Sequence, residues 1–316
     1  MKSFAFVFPG QGSQSVGMLD AWGAHPAVVA ALAEASDALG EDLGRLIREG
    51  PKEALAMTTN TQPVMLVAGV AAYRAWLAEG GAEPSVVAGH SLGEYSALVA
   101  AGVLTLAQAA PLVRFRAQAM QDAVPVGTGA MAAILGMDAQ RVIEGCAEAV
   151  RSFGVGTSEV AEAVNFNDPG QTVIAGSKAG VDKACELLKG AGAKRTLQLA
   201  VSAPFHSSLM KPAAERLRGK LSETTFATPR IAVINNIEVR AETEPERIRA
   251  ALYEQAFGPV RWVECVKAIK SRGITTIVEC GPGKVLAGLC RRIDPELTGI
   301  ALYDIASMAE LKGQLA

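Results

Sequence analysis

The stretch Pro84-Ser85-Val86-Val87-Ala88-Gly89-His90-Ser91-Leu92-Gly93-Glu94-Tyr95-Ser96-Ala97-Leu98-Val99-Ala100-Ala101 decides how the rest of the chain is read. A short apolar run enters a turn with a serine between two glycines, and a helix-compatible segment follows. Strand, sharp turn and helix form the setting of a nucleophile elbow, with Ser91 at its tip. A side chain at 89 or 93 would collide where strand and helix cross, and the tight turn favours residues without a Cβ. The turn lifts Ser91 Oγ clear of the backbone. It also aims the free N–H groups at the helix start toward any oxyanion that forms there.

Outward from the elbow, the pattern is that of a parallel sheet with crossover helices. Upstream, Ser3 to Phe8 is a continuous apolar strand running into Pro9-Gly10-Gln11-Gly12-Ser13-Gln14. Helices are expected at 26–39, 51–57 and 62–79, and downstream of the elbow at 105–122. The texture then changes. Gly129–Leu135 reads as a strand, Asp138–Val150 as a helix capped by Asp138, Glu159–Phe166 and Gln171–Ala175 as strands, Lys178–Gly190 as a helix and Ala193–Leu199 as a strand. That β-α-β-β-α-β order is ferredoxin-like. The loop 152–158 within it reads as flexible. Helices near 207–222, 244–256 and 259–271, and strands at Ile231–Asn235 and Ile274–Glu279, resume the first pattern. A helix follows the glycine-rich Cys280-Gly281-Pro282-Gly283-Lys284. The expected fold is α/β, with a large parallel-sheet domain from 1–127 and 201–316 and an inserted small domain at 128–200.

Composition narrows the chemistry. The 316 residues are half apolar and carry a net charge of −2. With no basic excess to neutralise phosphates, nucleic acid is not the expected partner. No apolar run is long enough to cross a bilayer. The 5 cysteines are scattered without a C-x-x-C pair, so neither a zinc site nor a disulfide framework is expected, and the thiols are expected to be reduced, in a cytoplasm.

A serine nucleophile needs a base, and the chain has only 3 histidines. His25 lies at an early helix start. His90 adjoins Ser91 and points to the other side of the elbow, where it shapes the site. His206, in Ser202-Ala203-Pro204-Phe205-His206-Ser207-Ser208, is the base by elimination. No acid stands in an obvious strand-end loop except Glu279, so a carboxylate, an amide and a main-chain carbonyl all remain open as its orienter. Arg114 and Arg116 share an apolar helix. Each has three readings: a grip on a ligand carboxylate, a structural ion pair, or an arginine that snorkels to the surface. Gly10-Gln11-Gly12-Ser13 lacks the third glycine of a dinucleotide fingerprint, and Gly281-Pro282-Gly283-Lys284 is no P-loop. Both read as loops at strand C-termini framing an active-site crevice. There Gln11 N–H faces that of Leu92 and completes an oxyanion hole.

Together, Phe8-Pro9-Gly10-Gln11-Gly12-Ser13-Gln14, Gly89-His90-Ser91-Leu92-Gly93-Glu94-Tyr95, Arg116, Gly129-Ala130-Met131-Ala132-Ala133, Asn165-Phe166-Asn167, Pro204-Phe205-His206-Ser207 and Gly281-Pro282-Gly283-Lys284 resemble the malonyl-CoA:acyl carrier protein transacylases over essentially the whole chain. The 152–158 stretch is longer than in some members. The resemblance implies a hydrolase-like α/β domain with a ferredoxin-like insertion. It also implies malonyl-CoA as substrate, acyl carrier protein as partner, no cofactor and a monomer. Ser91 is implied as nucleophile, His206 as base, and the main-chain carbonyl of Gln255 as the group holding His206. Gln11 and Leu92 are implied as oxyanion donors and Arg116 as the grip on the malonyl carboxylate, with Phe205 limiting room for an α-methyl branch. Acidic carrier docking is expected at Lys189, Lys194, Arg195, Lys211 or Arg216. A discrete acyltransferase of a polyketide synthase shares every motif. A serine thioesterase or esterase has no need of Arg116 and usually keeps a carboxylate triad. A non-catalytic carrier-binding module has no reason to keep Ser91, His206 and Arg116 together.

Overall fold

In the computed structural model, which describes residues 3–201 and 203–315, the strands are β1 (Phe4–Phe8), β2 (Val86–Gly89), β3 (Gly129–Leu135), β4 (Ala161–Asp168), β5 (Gln171–Ser177), β6 (Arg195–Gln198), β7 (Ala232–Ile234), β8 (Thr276–Cys280) and β9 (Thr298–Leu302). Ser202, quoted above beside His206, lies outside the described residues. Strands β7, β2, β1, β8 and β9 form one parallel sheet in that order. Strands β4, β5, β3 and β6 form a separate antiparallel sheet, so the fold class expected from the sequence is the one observed. The strand order and the two helices between them, Ala139–Ser152 and Lys178–Gly190, are those of a ferredoxin-like unit.

β1 explains why the large sheet is buried on both faces. Its alternate residues point to opposite sides. Phe4, Phe6 and Phe8 pack on Tyr73 and Trp76 of the helix Thr58–Ala78, with edge-on ring pairs 5.9–6.4 Å apart. Ala5 and Val7 enter the other core with Val260, Trp262 and Cys265. A strand of continuous apolar residues is what such two-sided coverage requires. The small sheet is tied to the large domain by backbone: Val260 N–H donates to Val164 O (2.8 Å) and Phe166 N–H to Val260 O (3.0 Å). Asp168 adds an ion pair to Arg292 at 3.3 Å.

Several boundaries differ from expectation. The helix expected at 62–79 begins at Thr58, because Pro63 sits inside its early turns, where it removes only one backbone donor. The helix Leu43–Glu49, capped by Asp42, was not foreseen, nor were β9 and the helix Ile305–Leu315. The strand expected at Glu159–Phe166 runs from Ala161 to Asp168 and carries bulges.

Glu279, the one strand-end acid considered as a partner for His206, does something else. It is fully buried and accepts the N–H of Ala287 at 2.8 Å, capping the helix Val285–Ile293. Burial pushes its carboxyl up to about 7, against an ordinary 4.5. Between those values the unfolded chain gives up the proton more readily than the folded one, so this group erodes stability as pH rises. Urea unfolding at pH 5 and pH 8 should show Glu279→Gln gaining on the wild type by up to about 3 kcal/mol at the higher pH. Parallel curves would reject the assignment.

Candidate active site

The C-terminal ends of β1, β2 and β8 open onto the loops that carry the chemistry, as open parallel sheets dictate. The elbow follows β2 directly. A Cβ on Gly89 would stand 1.8 Å from the Gly93 carbonyl carbon, and one on Gly93 would stand 2.0 Å from Phe8 O. No side chain fits at either position. Ser91 itself adopts φ 52°, in the left-handed region that costs a residue with a Cβ about 1–2 kcal/mol. Asn236, just beyond β7, pins the turn from the neighbouring strand. Its Oδ1 accepts the Ser91 N–H (2.8 Å) and its Nδ2 donates to Gly89 O (2.7 Å).

His206 reaches Ser91 across 115 residues, with Nε2 2.7 Å from Oγ. Its Nδ1 lies 2.9 Å from the main-chain carbonyl of Gln255. A carbonyl only accepts, so the ring proton sits on Nδ1 and Nε2 presents its lone pair to the serine. Burial and the Arg116 guanidinium hold the imidazole down to about 3, against an ordinary 6.5. The ring is therefore neutral, as a general base must be. The alternatives left open by the sequence close on the main-chain carbonyl. His25 caps the helix Pro26–Leu39 through Nδ1, and the His90 ring turns to Asn167 Oδ1 (2.8 Å) and lies tilted against Trp262 at 5.5 Å.

The two arginines part company. Arg114 is paired with Glu41 and Asn60 near the surface. Arg116 is 2% exposed, and among the described residues no carboxylate lies within ion-pairing distance of it. Its guanidinium rests on neutral groups: Gln62 Oε1 at 2.7 Å, Gln255 Oε1 at 3.0 Å and the face of Tyr95. Nη2 also reaches Ser91 Oγ at 3.3 Å. A buried cation with only neutral partners, beside a nucleophile, is poised for an anionic group on the substrate.

Sequence reasoning missed the support behind these groups. Glu94 is buried, and its Oε2 accepts from Asn236 N–H (2.9 Å) and Gln255 Nε2 (3.0 Å). Gln255 Nε2 also donates to Ser91 O at 3.0 Å, so this residue contributes a side chain as well as its carbonyl. Gln62 and Asn236 carried no motif. Their one signal was a polar residue within an otherwise apolar buried run.

A cavity of about 120 Å³ joins these residues, lined by Gln11, Ser91, Leu92, Arg116, Phe205 and His206 among others. The amides of Ser91, Gly93 and Glu94 bond to Asn236, His90 and Ser91. Among the described residues the amides of Gln11 and Leu92 have no partner, as oxyanion donors require. Also among the described residues, no cluster of His, Cys, Asp or Glu is placed to hold a metal ion, and no helix is long and apolar enough to cross a membrane.

Residues 5–295 match the family model of the acyl transferase domain. The malonyl CoA-acyl carrier protein transacylase of Haemophilus influenzae is 52% identical over 309 residues, covering 97% of each chain. The crystal structure of an acyl-carrier-protein S-malonyltransferase from Burkholderia pseudomallei superposes with TM-score 0.95 at 60% identity, covering 98% of this chain and 99% of that one. A malonyl-transacylase solved with a type II PKS acyl-carrier protein superposes with TM-score 0.95 at 48% identity, over 99% of this chain and 100% of the other. An elbow serine, a histidine held by a main-chain carbonyl and a buried arginine facing both thus sit on a fold shared end to end with these enzymes, and the chain belongs to the acyl transferase family.

Proposed function

We propose that this enzyme transfers the malonyl group of malonyl-CoA to the phosphopantetheine thiol of an acyl carrier protein, through a malonyl ester on Ser91. The observation that carries the reading is Arg116, a buried guanidinium with no carboxylate partner among the described residues, 3.3 Å from Ser91 Oγ. It suits an acyl group that ends in a carboxylate and is attacked at its other end.

His206 Nε2 takes the Ser91 proton as Oγ bonds to the thioester carbonyl carbon. The carbonyl electron pair moves onto oxygen, where the Gln11 and Leu92 N–H groups hold it. Losing one such donor typically costs about 3–4 kcal/mol of barrier. The C–S bond then breaks, coenzyme A leaves as its thiol with the proton from His206, and malonyl-Ser91 remains. In the second half-reaction His206 takes the carrier thiol's proton, sulfur attacks the ester, and Ser91 Oγ recovers its proton. Ping-pong kinetics follow from the covalent intermediate. An esterase would normally set a carboxylate on His206, where this chain has the Gln255 carbonyl. For the acidic carrier, Lys189, Lys194 and Arg195 are exposed and carry no ion pair among the described residues, whereas Arg216 is paired with Asp122.

Intact-protein mass spectrometry after mixing with malonyl-CoA, then with phosphopantetheinylated carrier, tests the whole sequence. The protein should gain one malonyl group and pass it to the carrier. An adduct lost to water without carrier loading would make the protein a hydrolase. Phe205 lines the cavity, and on this reading it limits the room for a branch at the acyl α-carbon. Phe205→Ser should therefore relax discrimination against methylmalonyl-CoA by roughly tenfold, on the scale of one methyl group in a fitted pocket. An unmoved ratio of the two rates would reduce Phe205 to ordinary packing.

A further inference from the structure

The Gln255 side chain stands between two buried charges. Its Oε1 accepts from Arg116 Nη2 at 3.0 Å, and its Nε2 donates to Glu94 Oε2 at 3.0 Å and to Ser91 O at 3.0 Å. A guanidinium can only donate, whereas a carbonyl and a carboxylate can only accept, so this amide has a single orientation that satisfies all three neighbours. Without the acceptor at 94, one of the three hydrogen bonds that fix it is gone. Two further observations single out Glu94. Its burial is nearly complete and its carboxyl is pushed up to about 7, with Arg116 as the opposing charge. It also borders a separate, water-sized cavity of about 10 Å³, where Asn235 Nδ2 has no hydrogen-bond partner among the described residues. The ionisable groups around Glu94 are Arg116, Tyr95 and Cys265, with Glu242 across the small cavity.

We propose that Glu94 is a positioning residue for the acyl pocket: through the Gln255 amide it holds Arg116 beside Ser91, and it supplies the negative charge that balances the guanidinium until an acyl carboxylate arrives. This rests on Arg116 being the partner of that carboxylate. An arriving malonyl group then places a second anion on the same cation, so neutralising Glu94 favours malonyl over acetyl.

The test measures kcat and KM for malonyl-CoA and acetyl-CoA at pH 6 and pH 8 in the wild type, Glu94→Gln, Glu94→Ala and Arg116→Ala. Glu94→Ala should lower the malonyl-to-acetyl ratio of kcat/KM about tenfold, chiefly through the KM for malonyl-CoA, as loss of a hydrogen bond to a charged group implies. Glu94→Gln keeps the accepting oxygen and should restore the ratio. At pH 8, where the wild-type carboxyl is ionised, its KM for malonyl-CoA should fall about threefold below that of the wild type; at pH 6 the two should converge. An unchanged ratio in both Glu94 variants, with parallel pH profiles, would overturn the proposal. If Glu94→Ala does not melt cooperatively, the pH comparison of Glu94→Gln with the wild type decides alone. If Arg116→Ala leaves the ratio unchanged, the carboxylate reading itself falls. If it collapses the ratio while both Glu94 variants do not, only the role of Glu94 falls.

Discussion

Alanine at position 91 will abolish the malonyl adduct and lower carrier loading by about ten-thousand-fold or more, the range seen when a covalent nucleophile is removed. The fold should survive, since Asn236 bonds the backbone N–H of residue 91 and that contact does not need the hydroxyl. His206→Ala should be comparably damaging. The double variant should be scarcely worse than either single one, because nucleophile and base act as a unit. Rapid quenching with labelled malonyl-CoA separates acylation from carrier loading. A surviving adduct in Ser91→Ala would place the intermediate on another residue and undo the mechanism. The pH dependence adds a second check. With His206 held at about 3, acylation should show no fall near the ordinary histidine value of 6.5. An inflection near 7 that vanishes in Glu94→Gln belongs to Glu94. One that persists there would mean the base titrates normally.

Arg116→Ala should lower kcat/KM for malonyl transfer by about a hundred- to a thousand-fold and acetyl transfer by only a few-fold. Removing one member of a buried charge pair typically costs 2–5 kcal/mol. The loss is selective because only the malonyl group brings a carboxylate needing a partner. Arg116→Lys should recover little of it, since an ammonium cannot meet Gln62, Gln255 and a carboxylate in one plane. Equal losses for both acyl groups would show instead that Arg116 mainly braces the elbow. Thermal melting distinguishes that outcome from unfolding.

How much of this was legible depended on whether the signal was local. The elbow was readable because its strand, glycines and helix are contiguous. The small sheet was readable because apolar alternation resumes after each loop. β9 was not, since Thr298-Gly299-Ile300-Ala301-Leu302 holds a glycine at its centre and lies at a sheet edge. Histidine scarcity isolated His206. Arg114 and Arg116 could not be ranked by pattern, because residues two apart on a helix face different directions and either direction suits an arginine. A backbone acceptor such as Gln255 O has no residue signature at all. Glu94 looked like an ordinary acid in a first helical turn, and only the β7 loop folding over it shows that it is enclosed.

Both reacting side chains stand on left-handed backbone, Ser91 at φ 52° and His206 at φ 66°. Each such residue costs on the order of 1–3 kcal/mol, which the surrounding packing must offset. Glycine at either position would relieve the strain and erase the enzyme. Screening this chain for heat tolerance alone would therefore select against its own chemistry at both positions.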